Sequence, residues 1–504
     1  MDFKQLRNTN QYQARGIWSK IQTNAEEFFQ KNGWPHRGLE EWHYTSLASW
    51  KDRTLVGFKP TETNSTKTST FKNKSKLTGV SLPHLQKSNL SNTDFSAQIQ
   101  KVLQNYLQSF ASESISLVFV NGVFSKEHSD LNELERNQVS ILTGKDFLKN
   151  TKEQSFIYEF IHERRQVQFR PQSSMEALNS AACSDGVFIR IDKEQALSQP
   201  LHIIHISLQT GHLQNSDLTL AANQQNQKFV QASEKSNSNS EILSPKAEKV
   251  LTSLPKIFIE VGPFSKAEIL ESYIGQDTYL MNATSEIILR KSSRVNYCKI
   301  AQDSATATHV SATRFFQHDS SSLDCRTVVL GGQLTRLNLE FYLRQPDAHL
   351  VSKGFYIGSK EQHIDHSSLI DHVVGNCQSV QLYKGLLADS AKGIFDGKVQ
   401  IRKQAQKASS DQLIKNLLLS KKAEANSKPQ LMIFADDVKA THGSTVGQLN
   451  PEEIFYFQSR AIDKAKAIQM LSLGFVEEII LEIENAQIQK FLQRLTEQRY
   501  KDLN

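Results

Sequence analysis

From Gly186 to Lys403 the chain reads as one short strand after another: "GVFIRID", "LHIIHISL", "KIFIEVG", "SEIILRK", "RTVVLGG", "TRLNLEFYL", "VQLYKGLL" and "GKVQIRK". In "TRLNLEFYL", Leu337, Leu339, Phe341 and Leu343 fall on one face and Asn338, Glu340 and Tyr342 on the other, the period-2 signature of a half-buried strand. Strands about ten to fifteen residues apart with almost no helix between them exclude a βαβ protein and leave a sandwich, a barrel or a β-helix. The array continues for roughly 200 residues without a closing pattern, and a solenoid of stacked rungs accommodates that best. Its turns, "VLGGQ", "LLADSAKG" and "IFDGK", are short and carry Gly or Asp. No strict repeat length is visible.

The flanks have a different period. Residues 1–180 read as a helical and mixed region, with Phe28, Phe29, Trp34 and Trp42 near its start, the amphipathic "FSAQIQKVLQNYLQSF", and one short apolar strand, "ISLVFVNGVF". A Ser/Thr/Asn/Lys-rich tract at about 59–94 is too poor in large apolar residues to fold on its own and reads as a linker. The β region, 181–448, is interrupted by a Gln/Asn/Ser-rich insertion at about 211–248, read as an extruded loop. Residues 449–504 read as a helical hairpin. Asn450 is placed as N-cap, Pro451 at the first helical position, Glu453 as the capping-box partner, and Leu449 with Ile454 as a hydrophobic staple. Ile454, Phe457, Ala461, Ala465 and Ile468 then form one stripe, Gly474 ends the helix, and Ile488, Phe491, Leu492 and Leu495 line a second helix.

Several functional classes are disfavoured. The balance of 59 Lys+Arg against 53 Asp+Glu, a net charge of +6, is dilute and shows no basic cluster, so nucleic acid is not expected as a partner. The first thirty residues lack the apolar core of a signal peptide, and no apolar run reaches about 18 residues, so a soluble cytoplasmic protein without a membrane span is expected. Cys183, Cys298, Cys325 and Cys377 are scattered, which writes neither a disulfide framework nor a self-contained metal site. No Walker A pattern occurs.

The densest chemistry lies in "ADDVKATHGSTVGQLNPEEIFYFQSR", residues 435–460. Asp436 and Asp437 are adjacent, so on a strand they point to opposite faces and cannot converge on one substrate; a solvated turn is expected. "HGSTVGQL" lacks the lysine of a phosphate loop. His442 has the side chain best suited to ligating a metal near neutral pH, although a lone loop histidine is more often only hydrogen-bonded. A second segment, "EQHIDHSSLIDH", offers His363, Asp365, His366, Asp371 and His372, but His363 and His366 face opposite ways on a strand, which favours structural roles.

The run from "IDHSSLIDHVVGNCQSVQLYKGLLADSAKG" to "LMIFADDVKATHGSTVGQLNPEEIFYFQSRAI" resembles the core shared by the SufB/SufD family, scaffold proteins of the SUF iron-sulfur cluster assembly machine. The resemblance is strong over about 365–480 and looser from about 185. Near the start, "WPHRGLEEWHYTSL" is similar to the SufD-type signature, carried here by Arg37, Glu40, Trp42, Tyr44 and Thr45, so the SufD branch is favoured over SufB. What the resemblance implies is a mainly β protein, a right-handed parallel β-helix between helical N- and C-terminal regions. It implies a non-catalytic subunit that pairs with a SufB-like paralogue through the β-helix and docks a SufC-like ABC ATPase through its C-terminal helices, for which Pro451, Ile454, Phe457, Ile468 and Phe491 are the candidate contacts. His442 matches the family's interface histidine, the candidate cofactor and metal ligand for a nascent cluster. No cluster is expected to be held stably by the chain alone, only transiently in the complex, and whether a reduced flavin binds the complex stays open. Family members often carry cysteine two residues before that histidine; this chain has Ala440, so thiolates would come from the partner. The alternatives are a SufB-like cluster carrier, against which Ala440 speaks, and a β-helix carbohydrate-active enzyme, which needs convergent carboxylates.

Overall fold

A computed structural model describes residues 17–57, 92–110, 114–137, 139–143, 160, 162–163, 173–183, 185–209 and 249–503. The insertion read at about 211–248 and nearly all of the tract read at about 59–94 lie outside the described residues.

The chain enters on helix α1 (Ile17–Asn32), two 3-10 turns (Glu40–Trp42 and Ala48–Asp52) and strand β1 (Thr54–Gly57). Helix α2 (Asn92–Phe110) precedes β2 (Ile115–Val120) and β3 (Val123–Ser125), then α3 (Leu131–Arg136), β4 (Val139–Thr143) and α4 (Ser174–Ala182). Next come β5 (Gly186–Ile191), β6 (Leu201–Ser207), β7 (Lys249–Ser253) and β8 (Lys256–Val261). The run continues with β9 (Lys266–Gly275), β10 (Tyr279–Leu289), β11 (Arg294–Gln302), β12 (Thr308–Gln317), β13 (Ser322–Val329) and β14 (Leu334–Leu343). It closes with β15 (His349–Gly358), β16 (His363–His372), β17 (Gln378–Leu387), β18 (Lys392–Ile401), β19 (Ser409–Leu418), β20 (Glu424–Ile433) and β21 (Lys439–Gly447). Helices α5 (Pro451–Gln458), α6 (Lys464–Leu481) and α7 (Ala486–Lys501) follow.

From β8 onward, successive strands alternate between two sheets. The first runs β20-β18-β16-β14-β12-β10-β8-β5-β4 and the second β21-β19-β17-β15-β13-β11-β9-β6-β2-β3. Pairing from β5 to β20 and from β2 through β6 to β21 is parallel, so each pair of strands makes one coil and the next coil stacks on it. This is a parallel β-helix, the mainly β solenoid that the strand array leads one to expect.

Its lack of a strict repeat has a simple cause: Thr308 lies opposite Leu334, 26 residues on, but Lys392 lies opposite Glu424, 32 residues on. The corners absorb the difference. One corner carries a left-handed residue on consecutive coils, Phe264, Ser292, Ser320, Asp347, Asn376 and Lys407, with φ between 54° and 61°. Only some of these are the Asn or Asp residues that signal such a turn.

Alternation decides what enters the core. Leu337, Leu339, Phe341 and Leu343 of β14 point into the solenoid, joining a column of Ile, Val, Leu and Phe from other rungs. Each such side chain fully buried contributes about 1.5–3 kcal/mol. Tyr342, on the opposite face, stacks on Phe316 with ring centroids 5.4 Å apart. The outer wall of the first sheet is covered in part by the N-terminal segment and α4, through Trp42, Trp50, Met175, Leu178 and Val310. The outer wall of the second sheet is covered by α2, α6 and α7.

Two readings of the flanks need correction. The segment "ISLVFVNGVF" is a hairpin turning at Asn121-Gly122, and β2 pairs in parallel with β6 while β4 pairs with β5, so the two sheets begin well before residue 181. All six residues of β2 are buried, which an isolated strand in a helical region could not achieve. The C-terminal region contains three helices, not two. The stripe through Ile454, Phe457 and Ala461 stops because Ala461 takes φ 61° and Asp463 caps a new helix on Lys466 N, while Gly474 lies inside that helix rather than at its end. Asn450 does cap α5, through Glu452 N, with Pro451 at its start.

Candidate functional site

His442 does not sit in a loop. It is on β21, the last strand of the second sheet, opposite Gln412 of β19. The register continues inward through Gln381, Ser352, Cys325 and Tyr297, so His442 terminates an interior column. Ala440, on the same face, packs on the core, whereas the Cβ position of Gly443 faces Leu413 on the outer wall. His442 is exposed because no further rung covers it. Asp436 and Asp437 form the bend between β20 and β21, the solvated turn expected of them.

The end of the solenoid is an unfinished core. Ile433 and Val446, which stand opposite the interior residues Ile401 and Asn416, are 41% and 51% exposed. Among the described residues β20 and β21 each have a partner strand on one side only. Pro429 removes one backbone donor from β20, and β21 has no proline.

The C-terminal helices divide the proposed docking residues. Phe491 is 1% exposed and packs edge-on against Phe110 and Tyr106 of α2, with centroids 5.1 and 5.6 Å apart, so it anchors α7 to its own chain rather than facing a partner. Pro451 is exposed; Ile454, Phe457 and Ile468 are half-buried. The outward aromatics of α5 are instead Phe455 and Tyr456, 70% and 54% exposed, and Met470 and Leu481 continue apolar exposure along α6. Stripe counting missed them because it assumes that the apolar face is the buried one. Ion pairs fix α6 on the second sheet: Arg326 with Glu482 at 3.1 Å, Lys353 with Glu482 at 2.6 Å, and Lys384 with Glu478.

The segment "EQHIDHSSLIDH" contains strand β16, and its five His and Asp groups do not converge on one point, although His363 and Asp365 share Thr45. His363 Nε2 lies 2.8 Å from Thr45 Oγ1, and Asp371 accepts from Arg402 on the outer wall. His366 points inward between Tyr356, Tyr383 and Phe395, and His372 meets Ser379 at 2.9 Å. Burial pushes both imidazoles down to about 4, so they are neutral near pH 7. Among the described residues no group of three or more His, Cys, Asp or Glu is placed to hold a metal. All four cysteines are buried, and burial raises their thiols, Cys183 and Cys298 to about 12 and Cys377 to about 11. None of the four is a ready thiolate.

Sequence reasoning overlooked a charged cluster inside the solenoid. Glu271 and Lys299, neighbours across β9 and β11, lie 3.2 Å apart at 1% and 0% exposure. Tyr273 and Ser285 donate to Glu271 at 2.6 and 2.8 Å, Tyr297 donates as well, and His205 Nε2 is 3.4 Å away. Burial alone would raise the Glu271 carboxyl, but Lys299 and His205 hold it well below the usual carboxylate range. The available signal was polar residues at inward parity positions of otherwise apolar strands.

The N-terminal signature is a latch. The Arg336 guanidinium sits 4.2 Å from the Trp42 ring centroid, donates to Glu41 O at 2.7 Å, and pairs with Asp365, to which Thr45 also donates. Trp42 and Thr45 are buried by this contact; Arg37, Glu40 and Tyr44 are not.

Residues 242–475 match the family model for the SUF system FeS cluster assembly SufBD core domain. Over that span, a little under half of its length, the chain is similar to the SufB/SufD family. Its relatives include an iron-sulfur cluster assembly SufBD family protein of Synechocystis, 27% identical over 391 residues covering 74% of this chain and 75% of that protein. The chloroplastic protein ABCI7 of Arabidopsis thaliana is 32% identical over 248 residues, 48% of this chain and 52% of the relative. The iron-sulfur cluster assembly protein SufD of Escherichia coli is 27% identical over 234 residues, 46% and 55% of the two chains. The chain thus matches about half the length of two of these relatives. Among the described residues no helix is long and apolar enough to cross a membrane.

Proposed function

We propose that this chain is a SufD-like, non-catalytic scaffold subunit of a SufBCD-type assembly complex in the cytoplasm. In this reading a SufB-like paralogue completes the exposed last rung, and a SufC-like ATPase docks on the C-terminal helices. The observation that carries the pairing is the unfinished core: exposed Ile433 and Val446 together with an unpaired, proline-free edge on β21. An added strand would pair the free amides and carbonyls and bury both side chains. His442 would then lie inside the joint, where its imidazole can ligate or orient a nascent cluster. The cluster is cargo of the complex, with thiolates supplied by the partner, because Ala440 has none to give and the four cysteines are buried with raised pKa values. A reduced flavin, if the complex uses one, would likewise belong to the assembly. The docking reading rests on Phe455 and Tyr456 of α5, flanked by Pro451, Ile454 and Phe457, and on Ile468 beside exposed Met470 of α6.

A SufB-like cluster carrier is the second reading, and the missing thiol at position 440 disfavours it. Co-expression with candidate SufB-like and SufC-like proteins tests the proposal. A stable complex of the three chains is expected, with SufC-like binding lost on Phe455→Ser plus Tyr456→Ser and SufB-like binding kept. Failure to co-purify with either protein would overturn it.

A further inference from the structure

A cleft of about 230 Å³ lies on the outer wall of the first sheet, whereas His442 is on the second sheet, and the scaffold reading leaves the cleft unused. Its floor is built from outward side chains of β16, β18 and β20, among them Ser367, Leu369, Asp396, Lys398 and Gln430, and its rim from the docked turn Glu40–Trp42. Parallel register makes the floor regular: Ser367 stands opposite Asp396, and Leu369 opposite Lys398, which in turn stands opposite Gln430.

Most of the charge around the cleft is already matched. Arg336 is taken by Asp365 and Glu41 O; Glu340 and Glu176 share Arg314; Glu40 lies 3.7 Å from Lys428. Two groups remain. Lys398 is half-buried and has no hydrogen-bond or ion-pair partner among the described residues, and Asp396 accepts only the neutral Gln430 amide, at 2.8 Å. They lie on the same face of β18, two residues apart and so about 6–7 Å along the strand, yet they form no ion pair with each other.

We propose that this cleft binds the zwitterionic backbone of a small free α-amino acid. Its ammonium pairs with Asp396, the Ser367 hydroxyl accepting a second hydrogen bond, and its carboxylate pairs with Lys398. Leu369, only 7% exposed, is the apolar floor for a short side chain. One ammonium and one carboxylate left over, on residues about 6–7 Å apart along the strand, are complementary to a ligand bearing both charges, since a simple anion or cation satisfies only one. The volume supports the same class: pockets that enclose drug-sized ligands begin at about 300 Å³, so a nucleotide or flavin is too large to be enclosed here.

Calorimetric titration of the full chain with L-alanine, propionate and ethylamine tests the assignment. Saturable binding of L-alanine is expected, with each half-ligand weaker by about tenfold or more, the loss of one charge-assisted contact. Asp396→Asn and Lys398→Gln should each weaken L-alanine by a similar factor while leaving the melting temperature unchanged, because both side chains are half-exposed. Absence of saturable L-alanine binding up to about 20 mM, far weaker than ordinary metabolite recognition, would overturn the proposal. So would propionate or ethylamine binding as tightly as L-alanine, or L-alanine binding undiminished in both variants.

Discussion

Replacing Lys299 by methionine would leave Glu271 ionised inside the solenoid without its counter-charge. Methionine roughly conserves the volume, so the cavity left is small and the effect is electrostatic. Removing one partner of a buried pair typically destabilises by about 3–5 kcal/mol. Glu271 keeps donors from Tyr273 at 2.6 Å, from Ser285 at 2.8 Å and from Tyr297, which places the expected loss near the lower end, about 3 kcal/mol. The pH dependence gives a second signature. In the native protein the folded-state pKa of Glu271 lies below its ordinary value of 4.5, so its contribution is present above pH 4.5 and is lost as pH falls through the folded pKa. In Lys299→Met, burial is no longer offset and the folded pKa moves above 4.5. The sign then reverses, and the variant loses stability as pH rises through the raised value. Urea unfolding followed by circular dichroism between pH 4.5 and 8 should therefore show a deficit that widens with pH. A loss below about 1 kcal/mol, or a deficit that does not change with pH, would refute the reasoning.

Further perturbations probe other parts of the molecule. Phe491→Ala should cost about 3–5 kcal/mol in the packing of α7 on α2 and make the C-terminal helices the first site of limited proteolysis, whereas a surface residue would change neither. Phe264→Asn should raise the melting temperature, because a phenylalanine at φ 61° with 55% of its surface exposed is strained and asparagine tolerates that backbone; a lower melting temperature would show that the ring makes contacts that outweigh the strain. His442→Ala should leave the melting curve unchanged, since the side chain is exposed, and abolish cluster formation in the reconstituted complex; wild-type iron and sulfide content in the variant complex would sink the ligand reading.

Period-2 alternation was enough to place Leu337, Leu339, Phe341 and Leu343 in the core, because strand parity depends only on local sequence. The coil length was not legible, since corners of unequal length leave register to be set by packing between rungs 26 to 32 residues apart. The same limit hid β2: its pairing with β6 joins residues whose separation, as between Ile115 and Leu201, no local pattern encodes. His442 was singled out by its neighbours in sequence, but its strand assignment was missed because "KATHGSTVG" is polar, as an inward face becomes when no further rung of the same chain covers it. Phe491 was misassigned because an apolar stripe on a helix looks the same whether it meets its own chain or another. The Glu271–Lys299 pair was passed over because a charged residue on an inward face contradicts the pattern that identifies the strand, and only inward parity marked it.

Hydrogen–deuterium exchange of the chain alone and mixed with a SufB-like partner tests the central claim most directly. Completion of the last rung predicts that amides of residues 439–447, and less strongly those of 424–433 with its proline, slow by about an order of magnitude or more on mixing, because edge groups open to solvent become paired. Amides of α7 should not change. A complex that forms while residues 439–447 exchange as fast as in the free chain would contradict pairing through the end of the β-helix.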